Sequence, residues 1–208
     1  MKWYSAEISD MLVSVFCNGL DNLMDKTGYN FTETEEYADS DVLIIFSSKY
    51  DKLVKKIMDV LSKEGSYSSL NAAVFAFRPE EENSLLDLTL VSGEKNLSSA
   101  LSDLLKMIDY YLYVTPVDVG YELSKRGTFT YEKGTEAINF SAVKASALSF
   151  LEGCDDALML LEAGEEIFIS DIESLIYDLS DATGDTRLTV APLRTLKGER
   201  VRFSIMHK

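Results

Sequence analysis

Few side chains in this sequence are placed to do chemistry. His207 is the only histidine and stands beside the last residue, where chains are usually loose. A Ser-His-Asp or Cys-His triad holds its imidazole rigidly against a nucleophile, so no triad is expected. Cys17 follows Phe16 in an apolar run, and Cys154 lies between Gly153 and Asp155. Both read as buried or incidental thiols; beside Cys154, the carboxylates of Asp155 and Asp156 oppose thiolate formation. A metal would have to be held by carboxylates, and Asp39-Ser40-Asp41 and Asp155-Asp156 are the close pairs. Neither has the spacing or the glycine of a calcium loop, so both read as solvated turns. The segment GEKNLSSA from Gly93 precedes a helix but lacks the leading glycine and the Gly-Lys-Ser/Thr ending of a phosphate loop, and GxGxxG is absent. The sequence therefore assigns no catalytic residue, no metal ligand and no cofactor.

Charge is the more informative pattern. The chain has 20 Lys+Arg against 35 Asp+Glu, a net charge of −15. From Ala145 to Thr186 there is no Lys or Arg, only Glu152, Asp155, Asp156, Glu162, Glu165, Glu166, Asp171, Glu173, Asp178, Asp181 and Asp185. The remaining residues reverse the sign, with Arg187, Arg194, Lys197, Arg200, Arg202 and Lys208 against Glu199. Val201, Phe203 and Ile205 alternate with Arg200 and Arg202, which puts the two guanidinium groups on one face of a strand. These charges either pair with one another or form a two-signed docking surface, since complementary potentials select partners and speed association.

The elements that must position these groups follow from hydropathy. Residues 5–25 carry Ile8, Leu12, Val15, Phe16, Leu20 and Leu23 near helical spacing, which predicts a helix with Ser5 as its N-cap. Tyr29–Tyr37 and Val42–Phe46 read as strands, 53–61 as an amphipathic helix closed by Gly65, and Leu70–Arg78 and Leu85–Val91 as strands around a turn at Pro79. In the last of these, Leu86, Leu88 and Leu90 alternate with Asp87 and Thr89, as in a sheet with one wet face. Leu97–Leu112 predicts a third helix, capped by Asn96 and stopped by Pro116. The second half predicts a hairpin over 117–132, a helix over 141–151, a short element over 155–163 and a brief strand over 165–169. A helix over 170–183 follows, with the capping box Ser170-Asp171-Ile172-Glu173, and then a basic hairpin, 187–193 with 199–206. The expected fold class is α+β, mixed or antiparallel sheets with packed helices. The domains are residues 1–115 (αββαββα) and 116–208. The closing order of helix and hairpin is compatible with a winged helix.

The apolar share of 46 % excludes a disordered chain, and three prolines with eleven glycines exclude collagen-like architecture. The N-terminus meets Glu7 and Asp10 too soon for a secretory signal. The longest apolar run, Ala157–Leu161, falls far short of the roughly 20 residues of a membrane span. With two cysteines, a cytoplasmic setting is expected. As a recognition helix, 170–183 would set Asp171, Glu173, Asp178 and Asp181 against phosphates, so direct DNA binding is excluded. The reading is a non-enzymatic acidic protein that binds another protein with a basic surface, as an inhibitor, immunity factor or adaptor. A nucleic-acid mimic of viral or mobile-element origin is one form of this. The expected contacts are Glu165, Glu166, Asp171, Glu173, Asp178, Asp181, Arg200 and Arg202. The alternatives are a carboxylate-based Mg²⁺-dependent hydrolase and a structural or assembly subunit.

Overall fold

The computed structural model describes all residues except Met1, 36–39, 65–69, 80–85, 115–122 and 124–125, with the backbone alone described for 59–64 and 112–114. The chain divides into two compact units, Met1–Thr128 and Phe129–Lys208.

The first unit opens with a hairpin where a helix was expected. β1 (Lys2–Ile8) and β2 (Met11–Asn18) pair antiparallel, with Trp3 opposite Phe16 and Ile8 opposite Met11. Ser9 and Asp10 both take positive φ, 46° and 67°, the conformation of a type I′ hairpin turn. A 3₁₀ turn (Asp21–Lys26) leads to β3 (Thr32–Thr34), which pairs antiparallel with β1. β4 (Val42–Ser47), α1 (Lys52–Glu64), β5 (Leu70–Phe75) and β6 (Leu88–Val91) follow, and a 3₁₀ turn over Glu94–Asn96 enters α2 (Leu97–Val114). The strand order is β3-β1-β2-β4-β5-β6, with β2, β4, β5 and β6 parallel.

Helices cover both faces of these parallel strands. Val54 and Met58 of α1 pack on Phe16, Leu43, Ile45, Ala73 and Phe75. α2 lies against β5 and the first 3₁₀ turn, where Ser102 Oγ donates to the Thr27 carbonyl at 2.9 Å. Every residue of β4 is buried in consequence. The wet face expected of β6 is absent for the same reason: Thr89 is buried together with Leu88 and Leu90. Because β5 and β6 are parallel, no tight turn can join them; the turn expected at 79–83 lies mostly outside the described residues.

The second unit contains β7 (Gly127–Ala137), which begins just before the boundary, α3 (Phe140–Leu151), β8 (Asp156–Gly164), α4 (Ile169–Thr183), β9 (Arg187–Leu196) and β10 (Val201–His207). Of the first strand of the hairpin expected over 117–132, only Leu123, which is buried, is among the described residues. Asn139 caps α3, its side chain accepting from the Ser141 N–H at 2.7 Å. The strand order is β7-β10-β8-β9. β10 is antiparallel to both neighbours, and β9 runs parallel to β8. Val143, Ala147 and Leu151 of α3 and Ile172, Leu175 and Leu179 of α4 pack on Met159, Leu161, Val201, Phe203 and Ile205.

This topology corrects four expectations. The terminal hairpin does not form, because β8 lies between β10 and β9, and the winged-helix order falls with it. Residues 155–163 are a central strand of the sheet. Residues 165–168 form a turn. The capping box is not made: Phe168 is the N-cap of α4, and its carbonyl accepts from the Asp171 and Ile172 N–H groups, which puts Ser170 inside the helix. The coarser expectation of mixed sheets with packed helices stands, as an α/β arrangement.

Candidate functional site

In open parallel sheets, ligands bind outside the carboxyl ends of the strands. In the first unit β2 ends in Asn18 and β4 in Ser47. Asn18 Nδ2 donates to Ser47 Oγ and to Asp51 Oδ2, each at 3.2 Å. Ser47 Oγ donates to the Lys49 carbonyl at 2.7 Å. Asp51 Oδ1 then accepts from the backbone N–H groups of Leu53 (3.0 Å) and Val54 (3.1 Å), the first turn of α1. The Val54 and Asn18 hydrogen bonds hold the Asp51 carboxyl below its ordinary range, with further help from Leu53 and Lys49.

A helix N-terminus beside parallel strands is where a phosphate would sit. Here the chain's own carboxylate fills it. The turn leaving β2 offers a single positive-φ glycine, Gly19, where a phosphate cradle needs several close backbone approaches. These residues do not fit a nucleoside polyphosphate. Since the folded-state value of Asp51 lies below its ordinary 3.8, its contribution to stability is complete above that pH and is lost as pH falls through the lower value. Asp51→Ala is accordingly expected to lower the melting temperature near neutral pH and to converge with the parent in acid, as thermal melts from pH 7 to about 3 would show.

His207 is held firmly, contrary to expectation. It pairs with Thr130 on β7 and Ala157 on β8, and its Nδ1 lies 3.4 Å from Cys154 Sγ. The thiol also meets the Phe150 carbonyl at 3.1 Å. Burial raises the Cys154 thiol, with Asp155 adding to it, and burial lowers the imidazole. Both shifts favour the neutral pair over the thiolate–imidazolium pair that a cysteine nucleophile uses. No third group orients the ring: Nε2 meets no hydrogen-bond partner among the described residues. Cys17 is buried on β2, its thiol pushed up to about 12 by desolvation. Among the described residues no three His, Cys, Asp or Glu side chains cluster as metal ligands.

The acidic stretch is divided by the fold. Glu162 is buried on β8, where Arg202 of β10 donates through Nε at 2.8 Å and through Nη2, and Thr195 Oγ1 donates at 2.7 Å. Arg200 reaches Glu136 of β7 at 3.2 Å, Lys144 reaches Asp178 at 2.8 Å, and Arg194 Nη2 donates to the carbonyls of Glu165 and Ile167. Arg202 thus pairs with a buried carboxylate across the sheet, whereas Arg200, just before β10, pairs with Glu136 at the surface with its side chain 65 % exposed, and Asp178 pairs with Lys144 of α3. Glu165, Glu166, Asp171, Glu173 and Asp181 remain exposed on α4 and the turn before it.

Sequence reasoning overlooked three neighbours of these acids. Phe168, Ile169 and Tyr177 are 74 %, 59 % and 73 % exposed. Their signal was their position: each is apolar yet falls off the Ile172–Leu175–Leu179 face that packs on the sheet. Ile169, Glu173, Tyr177 and Asp181 recur every fourth residue, so they form one ridge along the helix.

No family model matches the sequence, and no curated protein matches it. Solved structures do match the fold. FtsZ of M. jannaschii, as an empty dimer, aligns with a TM-score of 0.54 at 12 % identity, over 81 % of this chain and 63 % of that one. A mutant form of the same FtsZ aligns with a TM-score of 0.54 at 12 % identity, over 81 % of this chain and 65 % of that one. The chain thus spans less than two thirds of the length of these FtsZ chains. The likeness corrects the expectation of an acidic inhibitor, immunity factor or adaptor, of a viral nucleic-acid mimic, and of a carboxylate-based Mg²⁺ hydrolase. The pairing of Glu162 and Asp178 removes the unbroken negative field on which the first of these rested. What the likeness shows is the fold: a mixed sheet with packed helices, of the α/β kind found in FtsZ.

Proposed function

We propose that this chain is a self-associating protein that works through contact with further copies of itself. The observation that carries this reading is the α4 ridge. A soluble surface seldom exposes Phe168, Ile169 and Tyr177 within one helix and its entry turn, and clustered apolar residues rimmed by charge mark interaction sites. The similar FtsZ structure is itself a dimer, which supports the reading. Glu165, Glu166, Asp171, Glu173 and Asp181 form the polar rim, and the basic surface expected of a partner is supplied by another copy. Both cysteines are free and no helix among the described residues is long and apolar enough to cross a membrane, in keeping with a cytoplasmic place of action.

Association by mass action makes the average mass depend on concentration. Sedimentation velocity from about 1 to 100 µM should show it rising above the 23.3 kDa of one chain. Phe168→Ser with Tyr177→Ser should move that rise to higher concentration. A wild-type chain that stays at one protomer throughout would overturn the reading.

A further inference from the structure

The α4 ridge needs a complementary surface, and the first unit carries one. Lys52, Lys55 and Lys56 of α1 are exposed, and none of the described hydrogen bonds or ion pairs engages them. Lys49, 68 % exposed at its side chain, stands just before the helix, next to Tyr50, which is 57 % exposed. The acid in this run, Asp51, turns inward onto the helix N-terminus. The result is a basic helix face with an aromatic ring at its entry. On α4 the signs are opposite and the layout is alike: Glu173 and Asp181 interleave with Ile169 and Tyr177, Phe168 lies at the entry, and no base occurs between Ala145 and Thr186.

We infer that the α1 lysine face of one copy docks on the α4 ridge of the next; this rests on the self-association proposed above and names its two surfaces. Lys52, Lys55 and Lys56 meet Glu173 and Asp181. The alkyl stems of the lysines cover Tyr177 and Ile169 while their ammonium groups reach the carboxylates, as long amphipathic side chains do. An ammonium over the Tyr177 ring adds cation–π attraction. The ridge buries apolar area and the charges fix who meets whom: α4 against α4 would oppose carboxylates and α1 against α1 would oppose lysines, so like faces repel. Each copy carries one face of each kind. The contact is therefore between unlike patches, the arrangement that grows into rings or filaments when it is not reciprocated within a pair.

Two charge-reversed variants test this by sedimentation velocity. One carries Lys52→Glu, Lys55→Glu and Lys56→Glu; the other carries Glu173→Lys and Asp181→Lys. Each alone should associate at least about tenfold more weakly than the parent, because one face now meets its own sign. Mixed in equal amounts, they should associate again, since every reversed α1 then finds a reversed α4 and every native α1 a native α4. Raising salt from about 50 to 500 mM should weaken both parent and mixture. Circular dichroism melts monitor folding, and Gln in place of each reversed charge serves if a reversal lowers the melt. If the parent associates but either variant alone matches it, or the mixture of folded variants does not recover, the assignment of surfaces is wrong while self-association stands. If the parent never associates, both fail.

Discussion

Gly164→Ala is expected to be the most damaging single-methyl change in the second unit. Gly164 ends β8, and its N–H donates to the Arg200 carbonyl at 2.8 Å. Two further backbone bonds close the same corner: Glu165 N–H to Leu196 at 3.2 Å and Glu166 N–H to Gly198 at 3.3 Å. A Cβ on Gly164 would overlap the Gly198 carbonyl oxygen and lie 2.7 Å from its carbon and 3.2 Å from the Arg200 nitrogen. The obstacle is backbone, which cannot rotate aside as a side chain could, and Gly198 is itself fixed at φ +69°. The β9–β10 turn would have to move, breaking the corner and with it the entry to α4. The cost should be about 3 kcal/mol or more. At roughly 2–4 °C per kcal/mol for a chain of this size, the melting temperature should fall by about 6–12 °C. Gly153→Ala is the control: at φ +76°, a Cβ there meets nothing within 4 Å, so only backbone strain of about 1–2 kcal/mol applies. Equal melts for the two variants would refute the close-approach argument.

The corner also shows what a sequence discloses and what it withholds. α1, α2, α3 and α4 were legible because each presents a long apolar face at helical spacing, as Ile172, Leu175 and Leu179 do, and β4 was legible as a short solid apolar run. The first hairpin was not. Its turn, Ser9-Asp10, adopts two positive φ angles without a glycine to announce them. β2 is buried from Val13 to Asn18, so it lacks the alternation that would mark a strand and its apolar residues fall by chance near helical spacing. β10 was placed wrongly for a different reason. Lys197-Gly198 is a good turn, and a turn between two strands suggests that they pair. Nothing local says that β8, some forty residues earlier, lies between them. The candidate site divided along the same line. Which residues carry charge was plain, and so was the acid-only run from Ala145 to Thr186. Which charges are spent depends on register, as when β10 sets Arg202 opposite Glu162. The exposed ridge follows from α4's period once Phe168, Ile169 and Tyr177 are seen to lie off its packed face.

That register gives the second large effect. Glu162 is 3 % exposed, and its carboxylate is held by Arg202 and Thr195; the guanidinium end is partly open, with the Arg202 side chain 27 % exposed. The two halves of the pair are therefore unequal. Arg202→Met takes the guanidinium from a carboxylate that has little access to water, and removing one partner of a buried pair costs on the order of 3 kcal/mol. Glu162→Leu leaves the guanidinium able to turn toward solvent, so its cost should be about half as large after allowance for that screening. The double variant, Glu162→Leu with Arg202→Met, replaces both charges by apolar groups of similar volume, which is often close to neutral for a buried pair. Thermal or urea unfolding of the parent, both singles and the double should rank the Arg202 single lowest and show the double recovering at least half of its loss. Additive losses in the double would mean that β8 and β10 are held by packing alone and that the buried pair does not set their register.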